Sequence, residues 1–145
     1  MADSTNQLRV RLVTPERVLF ESTVAAVELP GKSGVLEVLY GHAPLLTELG
    51  AGDVRLHGVT GSGSGGEEII YNVSWGFAEV LPERVTILAN DALKPSEIDV
   101  SRAKEQLERG NKLWSEAGDS EEAYDKALTV IAEAEAKLAT AAEKH

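Results

Sequence analysis

The sequence predicts an all-β domain followed by an all-α one: an antiparallel β-sandwich, or flattened barrel, then an antiparallel two-helix hairpin. Two observations predict it. Glycine and proline are segregated, since all five prolines and eleven of the thirteen glycines precede residue 96, leaving a final fifty residues free of proline and rich in Ala, Glu and Lys. The apolar period changes at the same place, from two, as in a half-buried strand, to about 3.6, as in an amphipathic helix. The boundary falls near Leu93 to Ser96 and separates residues 1–93 from residues 94–145. Charge does not mark it, because both parts are acidic: six cations against twelve carboxylates in residues 1–92, eight against twelve in 93–145.

In the first part Leu8, Val10 and Leu12 alternate with Arg9 and Arg11, placing three apolar side chains on one face of an extended segment. Similar short runs follow at Val18–Phe20, Thr23–Leu29, Val35–Leu39, Asp53–His57, Ile69–Val73, Phe77–Leu81 and Val85–Ala89. Turns are expected at Pro30-Gly31-Lys32-Ser33-Gly34, at Gly50-Ala51-Gly52 and at Pro82-Glu83-Arg84. Short strands at intervals of about ten residues, with no crossover helices, suit a sandwich and argue against a doubly wound sheet.

In the second part Ser96 is the expected cap of a first helix, with Asp99 as its reciprocal acid, and Val100, Ala103, Leu107, Gly110, Trp114 and Ala117 share one face. Gly118-Asp119-Ser120 interrupts the pattern. Asp119 with Glu122 is a second cap, and Tyr124, Ala127, Leu128, Ile131, Ala134, Leu138 and Ala142 continue a helical stripe. Gly110 in the first helix costs about 1 kcal/mol relative to Ala, and the alanines of the second bury little area, so the hairpin is expected to have limited stability of its own.

The net charge of −10, with no cluster of Lys and Arg, makes nucleic acid and anionic lipid poor partners. Absence of cysteine removes disulfides, thiolate metal sites and cysteine nucleophiles. Residues Met1 to Gln7 have neither a basic start nor an apolar core, so no signal peptide is expected, and no apolar run is long enough to insert in a membrane. His42, His57 and His145 share no metal-ligand spacing, and His57 reads as an exposed strand end. Gly61-Ser62-Gly63-Ser64-Gly65-Gly66 has the spacing of a dinucleotide fingerprint, but Glu67 and Glu68 and then a strand follow where a helix N-terminus would be needed, so loop 58–68 reads as a flexible hairpin connection. Trp75 and Trp114 read as packing anchors.

Motifs carry the reading further. Val13-Thr14-Pro15-Glu16, then Leu29-Pro30-Gly31 with Gly34, then Gly41-His42-Ala43-Pro44-Leu45-Leu46-Thr47, and finally Gly76-Phe77-Ala78-Glu79-Val80 with Val85-Thr86-Ile87-Leu88-Ala89, resemble the epsilon-subunit family of bacterial F-type ATP synthases. The resemblance runs from about residue 8 through the hairpin. Pro44 restricts Ala43 to extended geometry and Gly41 frees the backbone before it, so the segment is a stiff bend presenting His42, Leu45 and Leu46. It is either a tight corner of the sandwich or a rigid docking edge.

The resemblance implies a non-catalytic rotor subunit at the cytoplasmic face of the bacterial inner membrane, coupling proton flow to ATP synthesis and restraining hydrolysis by movement of the hairpin. It implies docking on the gamma subunit and the ring of membrane c subunits, and contact of the hairpin with a catalytic beta subunit, for which Arg102, Arg109 and Lys112 are candidates. Solvated i,i+4 pairing, such as Glu105 with Arg109, accounts for the same charges. Ile98-Asp99-Val100-Ser101-Arg102-Ala103 resembles the Ile/Leu-Asp-x-x-Arg-Ala motif that binds ATP in some members, with Arg109 as a further basic residue. No cofactor is required, and a regulatory ATP is implied at Ile98, Asp99, Arg102, Ala103 and Arg109. Glu133 and Lys137 stand where ATP-binding members have arginines, and Asp99 as a helix cap partnered by Arg102 explains the motif without nucleotide. On the residues alone, the rivals are a small-molecule-binding sandwich whose helices dimerise, and an independent ATPase.

Overall fold

In a computed structural model, which describes residues 7–59 and 68–143, the chain divides into two compact units, Met1–Ala92 and Leu93–His145. The first contains seven strands: β1 (Leu8–Val13), β2 (Val18–Val24), β3 (Ala26–Gly31), β4 (Gly34–Leu39), β5 (Leu45–His57), β6 (Glu68–Val80) and β7 (Arg84–Leu93). They form one sheet in the order β2-β1-β7-β6-β5-β3-β4. Buried side chains from all seven strands nevertheless meet in a single cluster, including Val24 of one edge strand and Val38 of the other. A sheet can bring its two edges to one core only by folding over on itself, so the unit is a flattened sandwich.

The alternation at Leu8-Arg9-Val10-Arg11-Leu12 appears as expected, the three apolar residues buried and the arginines exposed. Tight connections fix the hairpins. Lys32 and Ser33 join β3 to β4, where Gly34 adopts φ +137°. Pro82 and Glu83 join β6 to β7, across which Leu81 and Arg84 exchange both backbone hydrogen bonds, at 2.8 and 3.3 Å.

Four details differ from the sequence expectation. Gly50-Ala51-Gly52 is not a turn; it lies inside the 13-residue β5. Gly52 permits close approach, since a Cβ there would sit 2.8 Å from Pro30 Cβ. The runs Ile69–Val73 and Phe77–Leu81 belong largely to one strand, β6, which passes through Trp75 (φ 60°) and Gly76 (φ 136°). The run Thr23–Leu29 is instead divided at Ala25, whose N–H donates to the His57 carbonyl at 2.8 Å. The sandwich is antiparallel except for β1 beside β7, a parallel pair. No short hairpin joins those two strands, so connection length does not dictate their direction.

The second unit begins with a 3₁₀ turn at Pro95–Glu97, then α1 (Val100–Glu116) and α2 (Glu121–Ala142). Both caps differ from expectation. The Glu97 carboxylate accepts from the Lys94 N–H at 2.8 Å, closing the 3₁₀ turn, and Asp99 caps α1 by accepting from the Arg102 N–H at 3.1 Å. Ser96 lies inside that 3₁₀ turn, three residues before Asp99, and so does not cap α1. Ser120, not Asp119, caps α2 by accepting from the Ala123 N–H at 3.2 Å, after Gly118 has turned the chain at φ +58°. The helices run antiparallel: Gln106 reaches the Val130 carbonyl at 3.2 Å, while Trp114 meets Tyr124 with ring centroids 6.2 Å apart. Small residues fill the seam, with Ala103, Gly110 and Ala117 at intervals of seven in the first half, and Ala127 and Ala134 in the second.

Candidate docking surface

The Gly41–Pro44 corner is held by backbone and by its own histidine. The Gly41 N–H, at φ +90°, donates to the Pro82 carbonyl at 2.7 Å, tying the corner to the β6–β7 turn. The His42 N–H donates to the Leu39 carbonyl at 3.1 Å, and its Nδ1 lies 2.7 Å from the Ala43 carbonyl oxygen. The ring is thereby fixed against its own bend and is only half-exposed. Leu45 and Leu46 do not belong to the bend. They open β5, opposite Val80 and Glu79 of β6, and strand alternation turns Leu46 outward to 70% exposure, with Leu45 at 39%.

Leu46 is one end of an apolar strip that the sequence reading missed. Phe77 projects from β6 opposite Glu48, 49% exposed. Counting back from the Leu81–Arg84 pair sets Leu88 of β7 opposite Phe77, and Leu88 is 53% exposed. The approach of Gly76 to Leu88 and Ala89 agrees with that register. Three large apolar side chains therefore face water across adjacent strands of a sheet whose other face is the packed core. Such contiguous exposure on a rigid element is the usual mark of an interaction surface. The signal was present in the sequence: once Ala78, Val80, Val85, Ile87 and Ala89 are assigned inward, Phe77 and Leu88 have the opposite parity.

The hairpin candidates divide by role. Ile98 and Ala103 are buried within their unit, and the Asp99 carboxylate serves as the α1 cap. Arg102, Arg109 and Lys112 are exposed, and among the described residues none of their side chains makes an ion pair; the expected Glu105–Arg109 pair is not formed. Seven residues separate Arg102 from Arg109, which places both on one helix face. Glu133 and Lys137 are half-buried on α2.

Elsewhere His57 is not a free strand end. Its Nε2 lies 2.7 Å from a Glu28 carboxylate oxygen and its Nδ1 3.4 Å from Glu68, across three adjacent strands. Trp75 is half-buried, whereas Trp114 is 49% exposed, its ring against Tyr124 at the turn end of the hairpin. Residues 61–66, like His145 and residues 1–6, lie outside the described residues. Among the described residues no three His, Asp or Glu side chains are grouped to hold a metal ion, and no helix is long and apolar enough to cross a membrane.

Residues 7–95 match the model of a family described as the β-sandwich domain of the ATP synthase delta/epsilon chain. The ATP synthase epsilon chain of Solibacter usitatus is 40% identical over 139 residues, covering 94% of this chain and 97% of that protein. That of Koribacter versatilis is 40% identical over 118 residues, covering 81% and 77%. A chain in the mitochondrial ATP synthase assembly of Euglena gracilis, solved with F1 and the c-ring, superposes with a TM-score of 0.75 at 26% identity, over 92% of this chain and 81% of that one. A central-stalk and c-ring structure from Tetrahymena thermophila shares the fold at a TM-score of 0.65 and 12% identity, over 92% and 96%. On the family match and on this similarity over most of its length, the chain belongs to the delta/epsilon-chain family of ATP synthase.

Proposed function

We propose that this chain is a non-catalytic central-stalk subunit of a proton-translocating F-type ATP synthase, peripheral at the cytoplasmic face of a bacterial inner membrane. The sandwich grips the gamma subunit and the c-ring, and the hairpin restrains ATP hydrolysis by moving toward a catalytic beta subunit. The observation that carries this reading is the Leu46–Phe77–Leu88 strip, an apolar surface on the outside of a fully packed sheet. A coupling part must transmit torque without deforming, and a close-packed sandwich supplies that stiffness. The hairpin, seamed by small residues, has less holding it in any one arrangement, as a switch between packings of similar energy requires.

Two measurements test the two halves of the proposal. Leu46→Asp with Phe77→Asp is expected to abolish co-purification of the chain with gamma; retained association removes the strip from the interface. Deleting residues 96–145 is expected to raise ATP hydrolysis by the assembled enzyme several-fold, and an unchanged rate removes the hairpin's inhibitory role.

A regulatory ATP on the hairpin is a second reading, supported by the two unpaired guanidinium groups of Arg102 and Arg109 on one face of α1. Guanidinium suits phosphate oxygens. Arg102 and Arg109 would hold such a nucleotide, whose phosphates would supply the negative charge that their guanidinium groups lack.

A further inference from the structure

The outward face that carries the apolar strip ends in an arrangement that the sheet itself does not explain. Arg9 of β1 and Arg84 of β7 lie directly side by side in the parallel pair, and Arg11 lies beside Thr86 one step along. Arg11 reaches Glu21 at 3.9 Å. Arg9 and Arg84 are exposed, and among the described residues their side chains make no ion pair or hydrogen bond. Like charges directly opposite on neighbouring strands destabilise a sheet, so this pair opposes folding, and among the described residues no ion pair of either side chain offsets that. It is also concentrated: the three arginines are half of the six cations in residues 1–92, a segment with twelve carboxylates.

The arginines border a notch of about 270 Å³, which Glu21, Glu79 and Thr86 also line. Three arginines against the two carboxylates leave the notch net positive, and since Glu21 is drawn to Arg11, that excess lies on the side of Arg9 and Arg84. Arg84, Thr86 and Leu88 share the outward parity of β7. At about 3.3 Å per residue, Arg84 lies roughly 13 Å from Leu88 along the strand, within reach of a single segment seated on the strip.

We propose that Arg9 and Arg84 are the anion-accepting end of the docking surface, and that they take Asp or Glu carboxylates from the protein segment that covers Leu46, Phe77 and Leu88. The inference rests on the docking reading and adds the partner's chemistry to it: an apolar stretch followed, about nine residues on if helical, by acidic side chains. Paired guanidiniums accept a carboxylate through two parallel hydrogen bonds, and covering the notch removes the water that would screen the attraction.

The test is binding of the full chain to ATP synthase F1 depleted of this subunit, measured at low and high salt. Wild-type affinity is expected to fall about tenfold or more with salt. Arg9→Glu with Arg84→Glu is expected to weaken low-salt binding more than tenfold and remove that salt dependence, and Arg9→Gln with Arg84→Gln to do so less strongly. In the isolated chain the Gln variant is expected to melt at the same temperature as wild type or slightly higher, because a repulsion is removed. If the Glu variant binds with wild-type affinity and salt dependence while Leu46→Asp with Phe77→Asp abolishes binding, the notch is not a contact and this inference fails alone. If the Asp variant binds normally, the docking reading fails. A Gln variant that melts several degrees lower means the arginines hold the sandwich together, and the inference is overturned.

Discussion

The sandwich and the hairpin are stabilised by opposite choices of side-chain size. Among the described residues, eighteen buried side chains make the sandwich core, and only Ala78 and Ala89 of these are as small as alanine. At the centre of the hairpin stand Ala103, Gly110, Ala117, Ala127 and Ala134, while Trp114, Tyr124 and Leu128 stay between 41% and 49% exposed. Burying a Val or Leu contributes about 1.5–3 kcal/mol, against about 0.8 kcal/mol per methylene-sized group for an alanine. The sandwich therefore holds one shape against load. The hairpin brings two backbones close but leaves its large side chains for other surfaces. On the proposed function, this difference in packing suits the sandwich to transmit force and the hairpin to change its contacts.

The largest losses should come from the sandwich. A Cβ at Gly76 would overlap the Leu88 carbonyl oxygen, at a φ of +136° that no L side chain adopts easily. Gly76→Ala is expected to abolish the cooperative unfolding transition of the sandwich. Leu56, fully buried, should cost about 2–5 kcal/mol when cut to Ala, read as a lower denaturant midpoint. A loss under about 1 kcal/mol would mean that the core relaxes around the cavity, and the contrast in rigidity between the units would go with it.

Gly110 gives an intermediate effect whose sign is diagnostic. Helix propensity alone makes Gly110→Ala favourable by about 1 kcal/mol. The new Cβ, however, would lie 2.7 Å from Ile131 Cγ1 and 3.2 Å from the Ile131 backbone nitrogen. Overpacking of that kind costs about 1–3 kcal/mol, so a net loss of helicity is expected, confined to hydrogen exchange in α1 and α2. Adding Ile131→Ala should recover part of it. Stabilisation by Gly110→Ala alone would show that the helices are not in close contact there.

That glycine also shows where sequence reasoning stops. In one dimension Gly110 is a weak point of a helix; only its neighbour across the hairpin, Ile131, shows it to be a place where the two helices are in close contact. Gly50-Ala51-Gly52 was misjudged as a turn for the same reason, because a glycine such as Gly52 that admits a side chain of the neighbouring strand and one that reverses the chain look alike in sequence. The alternating strands, the helical stripes and the Gly41–Pro44 corner depend on local periodicity and turn chemistry, and these were legible. Leu45 and Leu46 were singled out through the family resemblance, and both are exposed. The outward parity of Phe77 and Leu88 was also in the sequence, but their placement beside Leu46 and the Arg9–Arg84 pairing were not, because strand order assembles them and the parallel placement of β1 beside β7 has no short-range signature.

The smallest effect separates the two accounts of the Asp99 motif. Asp99→Ala removes the acceptor of the Arg102 N–H and should lower hairpin stability by about 0.5–2 kcal/mol, whereas Asp99→Asn retains an oxygen and should change it by only a few tenths. Arg102→Ala keeps the backbone N–H, so the cap survives while the guanidinium is lost. Calorimetric titration with ATP then distinguishes the roles. If the motif is a cap alone, no variant changes the heats and only Asp99→Ala softens the helix. If Arg102 holds phosphate, Arg102→Ala abolishes the binding heat at unchanged helix stability, and a hairpin with so little buried bulk should gain measurable exchange protection in the wild type when ATP is added. Heats that survive Arg102→Ala would remove this residue from any nucleotide site, leaving its exposed charge free for a protein partner.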